Sequence, residues 1–206
     1  PGMTDAHLHL TGTAGQPWYT GFTQKQSVPY AATVGLTHAL EMAQGGFTTV
    51  RDLGGETSAV IAVRDAVAEG RFPGPRIKVA GAPLSIIGGH ADPTTGLPPE
   101  LAAAMDEAHM DSSVCTGAEE CQKVVRKLAA AGVDWIKIMA TGGVLDPGRR
   151  GLEQDFTDEE MKAICDMAHF MGLKVAAHAH GTQGIDAAVR AGVDSIEHGT
   201  FIDEQG

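Results

Sequence analysis

Residues 128–139, which read Leu-Ala-Ala-Ala-Gly-Val-Asp-Trp-Ile-Lys-Ile-Met, decide the fold of this chain. A helical stretch ends at Gly132, and an apolar strand begins at once. Glycine just after the last helical turn accepts the left-handed backbone conformation that ends a helix. The sequence Ala-Gly-Val-Asp at 131–134 recurs at 191–194, where the same change from helix to strand is expected. The stretch therefore predicts a repeating unit of helix and strand.

Six strands alternate with helices along the chain and are predicted to start near residues 3, 47, 76, 133, 173 and 193. This alternation is typical of a parallel sheet. Ionisable residues fall at the carboxyl ends of several strands, where a (β/α)8 barrel has its active site. A flavodoxin-like open sheet is the alternative, but no Gly-x-Gly-x-x-Gly follows the first strand. We predict an α/β fold over residues 1–206, an incomplete (β/α)8 TIM-type barrel with about six of eight units.

Local signals predict helix starts and two long connections. Thr116-Gly117-Ala118-Glu119 and Thr157-Asp158-Glu159-Glu160 fit capping boxes, and Thr57 is the expected cap of a helix that runs to about Glu69. The connections Thr11–Pro29 and Leu84–Gly117 both follow strands. We therefore expect both to lie on the active face of the barrel, either as functional covers of the site or as disordered segments.

Composition limits the classes of partner. The 206 residues carry a net charge of −11 without a basic stripe, which argues against nucleic acid. No apolar run is long enough to cross a membrane. Cys115, Cys121 and Cys165 are expected to be reduced thiols, which favours a reducing compartment such as the cytoplasm. Because the chain starts at Pro1 without Met and stops just after a strand, we expect it to be a segment of a longer protein.

Two histidines in the first strand are candidate metal ligands. His7 and His9 are two positions apart, so an extended strand would send both side chains to the same face. Imidazole nitrogen suits zinc and similar transition metals. A lone His-x-His also arises from packing or solvent exposure, and the pair gains weight only from the later strands.

Lys137 lies between Ile136 and Ile138 in a strand predicted to be buried. Burial disfavours the charged form of a lysine, so its surroundings must compensate. Three interpretations stay open at this point. The side chain could extend to solvent or pair with an acid at the barrel mouth, it could be a Schiff-base nucleophile, or its neutral amine could take up CO2 to form a carbamate.

His178 and His198 end the fifth and sixth strands. Either one alone is more often a packed or surface histidine than a ligand. Together with His7, His9 and Lys137, they form a set of potential ligands at successive strand ends, and chance placement of all five is improbable.

These segments resemble the amidohydrolase superfamily. Residues 1–9, Pro-Gly-Met-Thr-Asp-Ala-His-Leu-His, resemble its first-strand signature, and residues 134–143 resemble its carboxylated-lysine strand. Ala177-His178-Ala179-His180-Gly181 and Ser195-Ile196-Glu197-His198-Gly199 resemble its fifth and sixth strands. The four motifs occur in the family's order, and the branch they resemble most is the prolidase-like, imidazolonepropionase-related one.

The resemblance implies a centre of two divalent metal ions, usually zinc. His7 and His9 would hold one ion, His178 and His198 the other, and a CO2-derived carbamate on Lys137 would bridge them. A metal-activated hydroxide would attack the carbonyl, and the metals would stabilise the resulting oxyanion. His90, in Gly88-Gly89-His90, matches a position that contacts substrate or transition state, and His180 would line the same pocket.

The implied activity is hydrolysis of an amide or peptide bond in a dipeptide or N-acyl amino acid, as in a prolidase or carboxypeptidase. A cyclic-amide hydrolase of the imidazolone type and a non-catalytic metal-binding fragment of the same fold are the alternatives. The family's flanking β-sandwich and its last two strands, with the eighth-strand aspartate that shuttles the proton, are expected outside residues 1–206. We therefore expect the isolated segment to be inactive and its open sheet edges to pair with another chain, as in a homo-oligomer.

Overall fold

The computed structural model describes residues 2–12, 27–108, 113–144 and 151–204, with the side chains of 105–108 excepted. The chain divides into two compact units. Unit 1 consists of Pro1–Ala82 and Ala130–Trp135, and unit 2 consists of Pro83–Ala129 and Ile136–Gly206. Most of the predicted connection after the first strand, residues 13–26, lies outside the described residues.

Unit 1 is a three-stranded parallel sheet with helices between its strands. The strands lie in the order β1 (Met3–Leu8), β2 (Phe47–Asp52) and β3 (Arg76–Val79), and β2 pairs in parallel with both neighbours. Its core consists of buried side chains from the second and third strands, from the helices and from the segment after the first strand: Leu10, Ala39, Val50, Val60, Val63, Ile77 and Val79. The elements are β1 (Met3–Leu8), α1 (Val28–Gln44), β2 (Phe47–Asp52), α2 (Thr57–Ala68) and β3 (Arg76–Val79).

Unit 2 holds a second three-stranded sheet, in the order β4 (Trp135–Met139), β5 (Lys174–Ala179) and β6 (Ser195–His198). Strands β5 and β6 run parallel, with His178 opposite Glu197 and Ala179 opposite His198. The elements that lie wholly or mainly in this unit are α3 (Pro99–Ala108), α4 (Ala118–Ala131), β4 (Trp135–Met139), α5 (Asp158–Phe170), β5 (Lys174–Ala179), α6 (Thr182–Ala191) and β6 (Ser195–His198). The α/β class with parallel sheets is therefore confirmed.

The two Ala-Gly-Val-Asp copies explain how each helix passes into a strand. Gly132 and Gly192 have φ of 94° and 95°, the left-handed conformation expected after a helix. Asp134 N donates to Val79 O at 2.8 Å, and Asp134 Oδ2 accepts from Val79 N at 3.1 Å. Asp194 makes the same two contacts with Val175, each 2.8 Å long. Each aspartate thus joins its segment to a neighbouring strand through two hydrogen bonds, one from its backbone N–H and one to its carboxylate.

Two of the three predicted helix caps need correction. The Thr157–Glu160 capping box is confirmed at the start of α5. Thr57 is not the cap of α2. Glu56 is, because its carboxylate accepts from the backbone N–H groups of Ser58 and Ala59, whereas the Thr57 hydroxyl accepts from Ala82 N. Before α4, it is Glu120 rather than Glu119 that accepts from Thr116 N, at 2.8 Å.

The expectation of three reduced thiols was wrong. Cys115 and Cys121 form a disulfide, and only Cys165, on the buried face of α5, is a free cysteine. Spacing did not reveal the pair because a turn, rather than a Cys-x-x-Cys motif, brings the two residues together. The disulfide removes the cysteine-based argument for a reducing compartment.

The connection from Leu84 to Gly117 is partly structured. It contains α3 and two isolated parallel bridges, Leu84 with Ile138 and Ser85 with Val114. Among the described helices, none combines the length and apolar character needed to cross a bilayer.

Candidate metal and substrate site

Five of the predicted side chains belong to unit 2. Lys137 lies in the middle of β4, His178 near the end of β5, and His198 at the end of β6. His180 follows β5 directly, and His90 lies in the loop between Ser85 and α3. Because parallel strands end at the same edge of a sheet, the residues from β5 and β6 are brought together by the fold itself.

The four imidazoles form a compact group around His178. Its ring centroid lies 4.4 Å from that of His90, 4.6 Å from His180 and 4.7 Å from His198. The rings of His180 and His198 stack 4.8 Å apart. The ligand atoms of His178, His180 and His198 all lie within 4.8 Å of one another. Such a group of nitrogen donors can converge on one cation.

The environment of His178 keeps its ring neutral. Burial, together with the nearby His90, Lys137, His180 and His198, lowers the pKa of His178 to about 2. Its Nε2 lies 3.2 Å from the carbonyl oxygen of Gly142. A carbonyl only accepts, so this contact assigns the proton to Nε2 and the lone pair to Nδ1. A neutral imidazole with one available lone pair is the form that binds a metal.

His180 and His198 differ in their surroundings and in their backbone conformation. His180 Nδ1 lies 2.7 Å from Thr200 Oγ1, and its backbone N donates to Thr141 Oγ1 at 3.0 Å. Burial also lowers the pKa of His180. His198 is exposed and has φ of 72°, a conformation uncommon for a residue with a side chain. Backbone strain of this kind clusters at functional sites.

Lys137 is as buried as the sequence predicts. It is 1% exposed, between Ile136 and Ile138, which are fully buried. The backbone carbonyl of Lys137 accepts from Leu84 N at 2.8 Å, which fixes this part of β4. Its charge is close enough to act on His178. The structure therefore excludes a side chain that extends into solvent.

The loop that carries His90 is tightly built. His90 N donates to Asp155 Oδ2 at 3.2 Å, and His90 O accepts from Ser85 Oγ at 2.6 Å. A Cβ on Gly89 would lie 2.9 Å from both Asp155 Oδ2 and Ser85 Oγ, so only glycine fits there. Gly88 N donates to the buried carboxylate of Asp92 at 2.6 Å. These contacts hold the His90 ring against His178.

His7 and His9 lie in unit 1. Their ring centroids are 5.4 Å apart and their planes nearly perpendicular, so both rings occupy the same side of β1. The strand is irregular between Asp5 and Leu8, and His7 N donates to Asp5 Oδ1 at 2.9 Å. His9 Nδ1 lies 2.9 Å from Gly54 O, which leaves Nε2 as the nitrogen with a lone pair.

Sequence reasoning missed the role of the residues that hold these histidines in place. Ser85 and Asp155 fix the His90 loop, and Asp52 fixes the segment after His9. The signal for Asp52 is its position at the end of a predicted strand, in Thr-Val-Arg-Asp-Leu. Asp155 has no such signal, because it lies in an irregular segment between strands.

The model of the Amidohydrolase family matches residues 1–206. The chain belongs to the amidohydrolase family. Ochratoxinase of Aspergillus niger is 31% identical over 215 aligned residues, which span 100% of this chain and 44% of that enzyme. The chain spans about half the length of this curated relative.

Three solved structures place the chain among known folds. A Xaa-Pro dipeptidase with bound methionine is 38% identical with a TM-score of 0.86, covering 100% of this chain and 49% of that one. The A. niger ochratoxinase structure is 30% identical with a TM-score of 0.87, covering 100% and 48%. A prolidase complexed with N-methylphosphonate-L-proline is 33% identical with a TM-score of 0.79, covering 98% and 48%. These similarities confirm the predicted family and its prolidase-like branch.

Proposed function

We propose that this amidohydrolase-family chain is part of a metal-dependent hydrolase that cleaves an amide bond in a dipeptide or N-acyl amino acid, as a prolidase or carboxypeptidase does. The observation that carries the proposal is the group of His178, His180 and His198 beside the buried Lys137. The similarity to a Xaa-Pro dipeptidase and to a prolidase with a bound proline compound supports the substrate class.

The donor set of unit 2 suits a divalent transition metal. Imidazole nitrogens are ligands that zinc prefers, and the low pKa of His178 keeps its lone pair available at neutral pH. We propose His178 and His198 as ligands of one zinc ion and the imidazole pair of His7 and His9 as ligands of a second. When bound, the ions would lower the pKa of a water molecule and polarise the scissile carbonyl.

Lys137 is proposed to carry a carbamate. The neutral amine adds to CO2 and loses one proton, which gives a carbamate anion with two oxygen donors. Oxygen donors of this kind complete a site that otherwise consists of imidazoles. The burial of Lys137 next to His178 supports this assignment.

His90 and His180 are proposed to contact the substrate. The His90 ring packs on His178, and its loop is fixed at both backbone atoms, so the ring is pre-positioned to donate a hydrogen bond to a substrate oxygen. His180 is held by Thr200 and would line the same pocket.

The partial (β/α)8 barrel stays a prediction, supported by the order of strands and helices and by family membership.

The test is metal analysis and hydrolysis assays on the full-length protein that contains this chain, prepared with bicarbonate. We expect about two zinc equivalents and turnover of Xaa-Pro dipeptides or N-acyl amino acids. Lys137→Met, which keeps the buried volume, should lose metal and activity, while the exposed Lys174→Ala should keep both.

Three results would overturn parts of the proposal. A metal-free active protein would exclude metal dependence. Borohydride trapping of a carbonyl compound on Lys137 would indicate a Schiff base instead. Two bound ions without turnover of any peptide or N-acyl substrate would favour a non-catalytic metal-binding protein.

A further inference from the structure

We propose that Asp52 is a positioning residue that orients His9 for metal binding, which rests on the proposed function of His7 and His9 as ligands. Asp52 ends β2 in unit 1 and is fully buried. It does not touch the metal-binding nitrogen in this arrangement. It acts through the two backbone segments that carry and orient the His9 side chain.

The carboxylate of Asp52 joins those two segments. Its Oδ2 accepts from Leu10 N at 2.7 Å, directly after His9 in the chain. Its Oδ1 accepts from Gly54 N at 3.0 Å. A single buried side chain therefore fixes the end of the first-strand motif and the turn after β2 relative to each other.

The turn held by Asp52 provides the hydrogen-bond acceptor for His9. His9 Nδ1 lies 2.9 Å from the carbonyl oxygen of Gly54. Because a carbonyl cannot donate, the proton is on Nδ1 and the lone pair is on Nε2. Acceptors of this kind set the tautomer and the ring direction of metal-binding histidines. Asp52 thus determines where the acceptor of His9 lies.

Other contacts anchor the same segment without orienting His9. Leu53 N donates to Leu8 O at 3.1 Å, and His38 Nδ1 lies 2.7 Å from Leu10 O. The Leu10 side chain is in the core of unit 1. Because these anchors remain, loss of the Asp52 carboxylate should leave the strand in place and release mainly the turn at Gly54.

The chemistry of the residue also favours a functional role. Two backbone donors need two acceptor oxygens, which Asp has and Asn does not. Burial raises the pKa of Asp52 to about 7, against the lowering effect of the Leu10 and Gly54 N–H groups. A buried acid is costly to keep, and such costs are concentrated at functional sites.

The experiment compares Asp52→Asn with Val63→Ala in the full-length protein. Val63 is buried in the same core, so its truncation destabilises unit 1 without touching the Asp52 contacts. Zinc affinity is measured by competition with a chromogenic chelator. We expect Asp52→Asn to weaken one of two zinc ions by about 10- to 100-fold and Val63→Ala to leave both affinities unchanged.

A second readout is independent of metal binding. Imidazole ¹⁵N shifts of the metal-free protein should give His9 protonated at Nδ1 in the wild type and as a mixture of tautomers in Asp52→Asn. Unchanged zinc affinities in Asp52→Asn, or a wild-type His9 protonated at Nε2, would overturn the inference. A wild-type protein that binds no zinc but has the expected tautomer would overturn the proposed function and leave only the orientation of His9 established.

Discussion

The rings of His90 and His178 lie 4.4 Å apart in unit 2, one from a loop and the other from a strand. The His90 backbone is fixed by Ser85 and Asp155, and the His178 ring is fixed by the Gly142 carbonyl. The two imidazoles can therefore have separate roles, one in binding metal and the other in contacting substrate. We expect substitutions to separate these two roles.

Substitution of the two histidines should separate metal binding from substrate contact. His178→Gln should lose about one zinc equivalent, because a proposed ligand is removed. His90→Gln should keep the metal and lower kcat/KM for a dipeptide by about 100-fold or more, as is typical when a proton donor to the reacting group is lost. Metal analysis and steady-state kinetics check both. The exposed His169→Gln is the control, and metal loss in His90→Gln would contradict its assignment.

Gly89→Ala should disturb the position of His90. A Cβ at Gly89 would meet Ile86 Cγ1 at 2.6 Å as well as Asp155 and Ser85. Relief of this crowding moves the two side chains that hold His90, so we expect kcat to fall and unfolding stability to drop by about 1–3 kcal/mol. Gly88→Ala is a matched control, because a Cβ there meets nothing within 4 Å and only the positive φ is strained. Equal kcat losses in both variants would disprove the specific role of Gly89.

Glu160 should make stability depend on pH in the acidic range. Burial raises the pKa of Glu160, but hydrogen bonds from Thr157 and Gly117 outweigh it, so the pKa lies below its ordinary value of 4.5. A lowered folded-state pKa contributes stability above that ordinary value, and the contribution is lost as pH falls through the folded-state pKa.

We expect Glu160→Gln to cost about 1–2 kcal/mol at pH 7, because the capping box and the contact to Gly117 are weakened. Denaturant unfolding at several pH values measures the difference from wild type, which should shrink below about pH 4.5. A constant difference down to pH 3 would show that the carboxylate charge is not involved.

Thiol counting tests the disulfide and the buried cysteine together. Burial raises the pKa of Cys165 to about 12, with the carboxylates of Asp166 and Asp194 adding to the rise. The native protein segment should therefore show no fast reaction with a thiol reagent at pH 8, because thiolate is the reactive form. Unfolding should expose one thiol, and unfolding with a reductant three. Three thiols without reductant would exclude the Cys115–Cys121 disulfide.

Local patterns in the sequence determined the elements and their order. Strand starts at 3, 47 and 76 agree with prediction, and the later three strands begin one or two residues further along, at 135, 174 and 195. Before β4 and β6, Asp134 N and Asp194 N hydrogen-bond to Val79 O and Val175 O ahead of the regular strand. Glycines and apolar alternation are local signals, so they could be recognised without knowledge of the fold.

The candidate histidines and Lys137 could also be named from the sequence, since each lies in or directly after a predicted strand or follows a glycine pair. Only the tertiary structure decided which side chains hold them in place. Asp52 accepts hydrogen bonds from Leu10 and Gly54, Asp155 and Ser85 hydrogen-bond to the backbone of His90, and the Thr200 hydroxyl contacts the His180 ring. It also decided that Cys115 pairs with Cys121. Period and spacing are properties of neighbouring residues, whereas a hydrogen bond or disulfide between distant residues depends on where the folded backbone places them.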